Sequence, residues 1–236
     1  MTSPPGWRLR HYPPVGSTSD ICAALAVAGE PGGLAVRADR QTAARGSRGR
    51  DWATLPGNIA VSVLLRPTGP ARDAGQWALL AAVAFREALA APGLALKWPN
   101  DVLLDGKKLG GVLIDTALNP AGGLDWLVIG FGANLGAVPA LDRPAASLPG
   151  EPAAIAATLL VRLDHWPRIR HLEGFGAIRC AWLGHGPSQG DRLRLRHGGA
   201  EVGGTFARLD DQGALLLQSG GRIHAFQTGD VLLGSS

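Results

Sequence analysis

Lysine occurs only at Lys97, Lys107 and Lys108, although Lys+Arg number 23 in the chain. Every other strong side-chain cation is an arginine. All three lysines fall in one stretch, Lys97-Trp98-Pro99-Asn100-Asp101 followed by Lys107-Lys108-Leu109-Gly110-Gly111. A chain that replaces lysine by arginine elsewhere, yet keeps it here, points to a site that requires a compact ammonium. Asp105-Gly106 between the two strings is a tight-hairpin signal. The hairpin folds Lys108 back alongside residues 101–103, so the Asp101 carboxylate and an ammonium flank one site. Strand alternation sends Lys107 the other way. Two glycines inside a strand mark a bulge or a close ligand approach. Asp101 suits magnesium, which takes one or two carboxylates plus phosphate oxygens. Taken alone, an Asp before a strand is more often a turn or a cap.

A second set lies upstream. Arg37, Arg40, Arg45, Arg48 and Arg50 crowd positions 37–50, with Gly46 and Gly49 among the last three. Guanidinium forks bind phosphate and carboxylate through paired charge-assisted bonds. Glycines let backbone N–H groups approach an anion closely. Charge alone does not separate this reading from a solvated basic loop or a nucleic-acid patch. Trp52 is the one aromatic beside the loop, which is little for an extended stacking platform. Gly130-Phe131-Gly132-Ala133-Asn134-Leu135-Gly136 misses the dinucleotide spacing, and no amphipathic helix follows. Asn134 remains a hydrogen-bonding group at a strand end. No phosphate-binding P-loop, nucleophile elbow or zinc-protease motif is present. The six histidines have no metal-ligand spacing.

Specific elements must position these residues. Residues 7–12, 33–41, 58–66, 94–98, 101–104, 108–115 and 124–132 read as strands. Residues 21–28, after the capping residues Ser17-Thr18-Ser19-Asp20, and 73–91 read as helices. So do 152–165 and 168–183, with a break expected at Pro167. Beyond residue 190, short alternating segments between Gly-rich turns predict a small barrel. The expected fold is α+β: a mixed, mostly antiparallel sheet with flanking helices over 1–185, then a β-barrel over 186–236.

Composition agrees. Hydrophobic residues make up 46% and charged residues 18% of 236, which is globular rather than disordered. The two cysteines, Cys22 and Cys180, give no disulfide framework and suit a reducing compartment. Both sit in predicted helices and are expected to pack as small apolar residues. No apolar run reaches the ~20 residues of a membrane span. A cytoplasmic protein is expected, without membrane association.

The strings Ser17-Thr18-Ser19, Ala44 to Trp52, Lys97 to Asp101, Lys108 to Leu113 and Gly132-Ala133-Asn134 resemble, in order, the motifs of the biotin–protein ligases. The likeness covers about residues 7–183, and the β-module resembles the family's SH3-like tail. It implies a class II synthetase-like catalytic domain that joins biotin and ATP into biotinyl-5'-adenylate, with Mg2+ as cofactor. The biotin then passes to a lysine of a biotin carboxyl carrier domain of the acetyl-CoA carboxylase type. Carried over by position, Lys108, Arg45 and Arg48 would be catalytic. Ser17, Thr18, Ser19, Gln41, Arg45, Gly46, Ser47, Lys108, Gly111 and Leu113 would bind biotin. Trp52, Asn100 and Asn134 would bind ATP, and Asp101 would lie at the metal.

Three departures stand out. Ser47 replaces a common arginine in the segment that retains the adenylate, which predicts leakier retention. Ser19 replaces an asparagine, and Ala44 replaces a glycine. The first motif begins at Ser17, so the resemblance implies the form without an N-terminal helix-turn-helix and no nucleic-acid partner. Family members can pair, so a homodimer is possible. The alternatives are a lipoate or octanoate ligase, a biotin sensor without turnover, and a non-catalytic nucleic-acid-binding protein.

Overall fold

The computed structural model describes residues 6–50, 52, 54–136, 138 and 144–232. Chain order begins β1 (Arg8–Tyr12), α1 (Thr18–Val27), β2 (Leu34–Ala38), β3 (Ile59–Leu65) and α2 (Ala74–Leu89). Then come β4 (Leu94–Lys97), β5 (Asp101–Leu104), β6 (Lys107–Leu118) and β7 (Leu124–Ala133). Two helices follow, α3 (Pro152–Glu173) and α4 (Phe175–Leu183). The last strands are β8 (Arg192–His197), β9 (Ala200–Leu209), β10 (Leu215–Ser219), β11 (Arg222–Phe226) and β12 (Asp230–Leu232).

The first seven strands form one sheet in the order β1-β2-β3-β7-β6-β5-β4. Only β1–β2 is parallel, so the sheet is mixed and mostly antiparallel, as expected. Side chains alternate across it. On one face Ile59, Val61, Val63, Leu127, Ile129 and Phe131 pack under α2, α3 and α4. Phe85 of α2 meets Phe131 edge to face at 5.3 Å between ring centres. On the other face Leu34, Val36, Leu64, Trp126 and Val128 pack under Cys22 and Ala26 of α1. Fully burying one such Leu or Phe is worth about 1.5–3 kcal/mol.

The α1 face changes character along its strands. On β7 it reads Trp126, Val128, Gly130, Gly132, and on β3 it reads Leu64 and then Ser62, which pairs with Gly130. On β6 it reads Asp115, Leu113, Gly111, paired with Val128, Gly130 and Gly132. The apolar floor therefore gives way to glycine and serine, leaving a recess where α1 begins.

Three expectations are corrected. The helix break falls at Gly174 (φ 78°), not at Pro167, which sits inside α3. Buried Leu159, Leu160 and Leu163 precede the proline, and Arg170 beyond it is tied to Asp73 and Gln76. That anchoring outweighs the lost backbone bond. Cys22 is buried, and burial pushes its thiol up to about 12, but Cys180 is exposed. The expected barrel is instead a five-stranded antiparallel sheet, β11-β10-β9-β8-β12. Among the described residues β11 and β12 do not pair. Instead the carbonyl of Val231 and the carboxylate of Asp230, both on β12, face the larger sheet.

The second sheet docks through specific bonds. Trp98 Nε1 donates to Gly213 O at 3.0 Å, and Gln76 Nε2 donates to Asp211 O at 2.8 Å.

Candidate active site

Ser17 caps α1: its hydroxyl accepts from the Asp20 N–H at 3.3 Å. The cap delivers Thr18 and Ser19 to the recess, where both are buried. Thr18 Oγ1 lies 2.7 Å and Ser19 Oγ 3.0 Å from Ser62 Oγ. Gln41 Oε1 accepts from Thr18 N at 2.8 Å and from Thr18 Oγ1 at 3.0 Å, and Gln41 Nε2 donates to Thr54 Oγ1. This is a wall of hydroxyl and amide groups inside the protein. Such a wall suits a ligand that brings its own donors and acceptors.

The floor is open because it lacks side chains. A Cβ on Gly130 would lie 2.6 Å from Ser19 Oγ, and one on Gly132 would lie 2.7 Å from Trp52 Nε1.

The charged end comes from the β5–β6 hairpin. Asp105 and Gly106 both have positive φ (48° and 75°), as a tight turn requires. Leu103 pairs with Lys108, but Val102 pairs with Gly110, so Leu109 is an extra residue. This bulge puts Lys108 and Gly111 on the same face, which strict alternation forbids. Lys108 is 9% exposed. Its ammonium donates to Asp101 Oδ1 and lies 5.5 Å above the Trp52 ring. Lys107 is exposed, as expected.

Asp101 Oδ2 lies 2.9 Å from Lys97 Nζ. Burial pushes the Asp101 carboxyl up, but Lys108 and Lys97 outweigh burial and hold it below the ordinary carboxylate value. Both Asp101 oxygens thus face ammonium groups, an arrangement that does not fit a magnesium ion at this carboxylate. Among the described residues no cluster of three or more His, Cys, Asp or Glu could hold a metal.

Arg45 stands at the mouth. It pairs with Asp20 at 2.7 Å and Asp115 at 3.0 Å, and is about half exposed. Partial burial lowers its guanidinium's pKa, but Asp115 and Asp20 outweigh that and raise it. Such exposed pairs are worth only about 0–1 kcal/mol, so an anion in the recess can compete for Arg45. Ser47 opens a 3-10 turn, Ser47–Gly49, and accepts at its hydroxyl from Arg50 Nη2 at 2.9 Å.

The recess brings together Ser17, Thr18, Ser19, Gln41, Arg45, Gly46, Ser47, Trp52, Asn100, Asp101, Lys108, Gly111 and Leu113. Asn134 is not on its wall. That residue is 1% exposed, receives a bond from Asn58 Nδ2 at 3.3 Å and donates to Ala146 O at 3.0 Å. The Arg48 side chain lies outside the described residues. Ser62, Gly130 and Gly132 line the recess without being expected there. The signal for Ser62 was a lone hydroxyl inside the apolar run Ile59-Ala60-Val61-Ser62-Val63-Leu64.

A buried polar wall, a glycine floor and a fixed ammonium near the half-exposed Arg45 guanidinium make a site that can bring two anionic reactants together. The fold is that of protein ligases of the biotin and lipoate type. The chain belongs to the Biotin/lipoate A/B protein ligase family, whose model matches residues 16–134. Residues 190–234 match the Biotin protein ligase C terminal domain. The chain is 35% identical to the biotin--[acetyl-CoA-carboxylase] ligase of Paracoccus denitrificans, over 87% of this chain and 92% of that one. It is 34% identical to the corresponding Mycobacterium tuberculosis ligase, over 96% and 90%. The solved biotin protein ligase of Aquifex aeolicus in complex with biotin and ATP shares the fold, with a TM-score of 0.79 at 24% identity, covering 95% of this chain and 97% of that one.

Proposed function

We propose that this chain is an ATP-dependent biotin–protein ligase that biotinylates a lysine of a biotin carboxyl carrier domain, of the acetyl-CoA carboxylase type named for its relatives. Residues 1–185 form the catalytic unit and 186–236 its C-terminal module. The reaction belongs in the cytoplasm. No helix of the described residues is long and apolar enough to cross a membrane.

The observation that carries this reading is the Thr18, Ser19, Gln41 and Ser62 cluster facing a glycine floor, with Lys108 in the same recess. The fused urea of biotin brings one carbonyl and two N–H groups, which match hydroxyl and amide partners. The dithiolane of lipoate brings no comparable donor or acceptor. A site built to hydrogen-bond one ligand discriminates strongly against an analogue that leaves its buried groups unpaired.

In the first step a biotin carboxylate oxygen attacks the α-phosphorus of ATP. The acyl–phosphate bond forms, the α–β phosphoanhydride breaks, and pyrophosphate leaves. Two anions must approach, so positive charge already in place lowers the barrier. Lys108 supplies that charge, held by Asp101 so that no reorganisation is needed. Arg45 leaves Asp20 and Asp115 for the incoming anion, and Gly46 permits the movement of its loop. Trp52 offers an aromatic surface for the adenine, beside Asn100. In the second step the neutral lysine amine of the carrier attacks the acyl carbon. The amide forms, AMP leaves, and the amine proton passes to solvent.

Calorimetry with biotin and with lipoate tests the reading. Biotin should bind at least about 10³-fold more tightly. Equal or tighter binding of lipoate would overturn it.

A further inference from the structure

Asp230 opens β12, and its carboxylate leaves the second sheet for the first. Its Oδ1 accepts from Lys97 Nζ at 2.9 Å, and its Oδ2 accepts from Arg50 Nη1 at 2.9 Å. Lys97 Nζ also donates to Val231 O at 2.9 Å and reaches Asp101 Oδ2 at 2.9 Å. Asp101 Oδ1 receives Lys108. Five charges thus alternate in sign along one path: Lys108, Asp101, Lys97, Asp230, Arg50. Lys97, Asp101, Lys108 and Asp230 are each less than one-fifth exposed. Arg50 continues the path into the arginine loop, donating from Nε to Ser47 O at 3.2 Å and from Nη2 to Ser47 Oγ at 2.9 Å.

The path has a mechanical consequence. An ammonium has three protons, and Lys97 has three acceptors, two of them on β12. With those two in place, Lys97 holds only one oxygen of Asp101, and the other is left to Lys108. Remove the Asp230 charge, and Asp101 is the one carboxylate of the path left to both lysines. Lys97 then turns further onto Asp101 and competes with Lys108 for it, while Arg50 loses its anchor.

We propose that Asp230 is a positioning residue for adenylate formation. It sets the Lys108 ammonium through Lys97 and Asp101. The second sheet is thereby part of the machinery of the activating step. This inference rests on the ligase reading above, in which Lys108 meets the reacting anions.

The test measures pyrophosphate release without carrier, giving kcat and KM for ATP and biotin. It compares the wild type, Asp230→Asn, Lys108→Ala, Lys97→Gln and the double variants. Asp230→Asn should lower kcat by roughly 10–100-fold, the scale seen when an outer-shell partner is removed. Placed on Lys108→Ala, it should add less than about threefold, because groups acting as a unit are non-additive. Asp230→Glu should recover most of the loss. If Asp230→Asn does not fold, Lys97→Gln carries the same test, with the same loss alone and the same lack of effect on Lys108→Ala. Wild-type kcat in Asp230→Asn, or an equal fold-loss in both backgrounds, would overturn the inference and leave the ligase reading intact. A wild type that releases no pyrophosphate, or a fully active Lys108→Ala, would instead overturn the ligase reading.

Discussion

Lys108 and Asp101, seven residues apart, meet as a buried ion pair across the β5–β6 hairpin. Leu103 pairs with Lys108, so Lys108 shares the face of Asp101, and the bulge at Leu109 brings Gly111 onto that face as well. A buried ammonium held by one carboxylate oxygen is preorganised: its protein partner is in place before any substrate arrives. In water the same charge would have to reorganise solvent around each new anion.

Lys108→Ala should therefore lower the rate of adenylate formation by roughly 10²–10³, the loss typical of one preorganised donor, about 3–4 kcal/mol. The fold should survive, because Asp101 keeps Lys97 at 2.9 Å. Single-turnover kinetics and a thermal melt check the two halves separately. A near-normal rate would remove Lys108 from the chemistry.

Gly130→Ala addresses the biotin wall. The new Cβ would stand 2.6 Å from Ser19 Oγ, so Ser19 on α1 or the β7 backbone must shift. Overpacking of this kind costs about 1–3 kcal/mol, and here it falls on ligand binding. The dissociation constant for biotin should rise roughly 5–150-fold, with ATP binding little changed, as calorimetry can read. Unchanged biotin affinity would place the ligand elsewhere.

Much of this site was legible before the fold was known, and for identifiable reasons. The lysine clustering and the Asp105-Gly106 turn fix Lys108 beside Asp101 through local rules alone. The Ser17 cap is local too, and it delivers Thr18 and Ser19. What local rules missed depends on the sheet. Ser62 and Gly130 become neighbours only through β3–β7 pairing. Asn134 looks like a free polar group at a strand end, yet Asn58 and Ala146, distant in sequence, take its amide. Pro167 carries a strong local signal for a helix break, worth about 3 kcal/mol, and packing on both sides of it prevails.

Ser47 bears on the fate of the intermediate. It presents a hydroxyl where the resemblance implies a guanidinium, and that hydroxyl already accepts from Arg50 at 2.9 Å. Free biotinyl-adenylate should accumulate in solution when carrier is withheld. Chromatography of the quenched mixture measures it, and no detectable release would contradict the prediction.

Acid should weaken the contact between the two sheets. Burial pushes the Asp230 carboxyl up from 3.8, but bonds and charge from Lys97 and then Arg50 outweigh it and hold it lower. A carboxyl with a depressed folded-state value contributes stability that is complete above its unfolded value. That stability is lost as pH falls through the folded value. Asp230→Asn should be less stable than wild type by roughly 1–3 kcal/mol at neutral pH, the worth of hydrogen bonds to a charged group. The gap should hold down to about pH 4.5 and close below the ordinary carboxylate range of about 3.9. Urea unfolding across pH reads it directly. A gap that widened below pH 4 would refute the sign.

The central claim is that this site activates biotin and passes it to a carrier lysine. Intact-mass measurement of a biotin carboxyl carrier domain, incubated with the wild-type chain, ATP, magnesium and either biotin or lipoate, tests it most directly. The account predicts one added biotinyl group, dependent on ATP, absent when the carrier lysine is replaced, and no lipoyl adduct. An unmodified carrier, or a lipoyl adduct formed as readily, would contradict it.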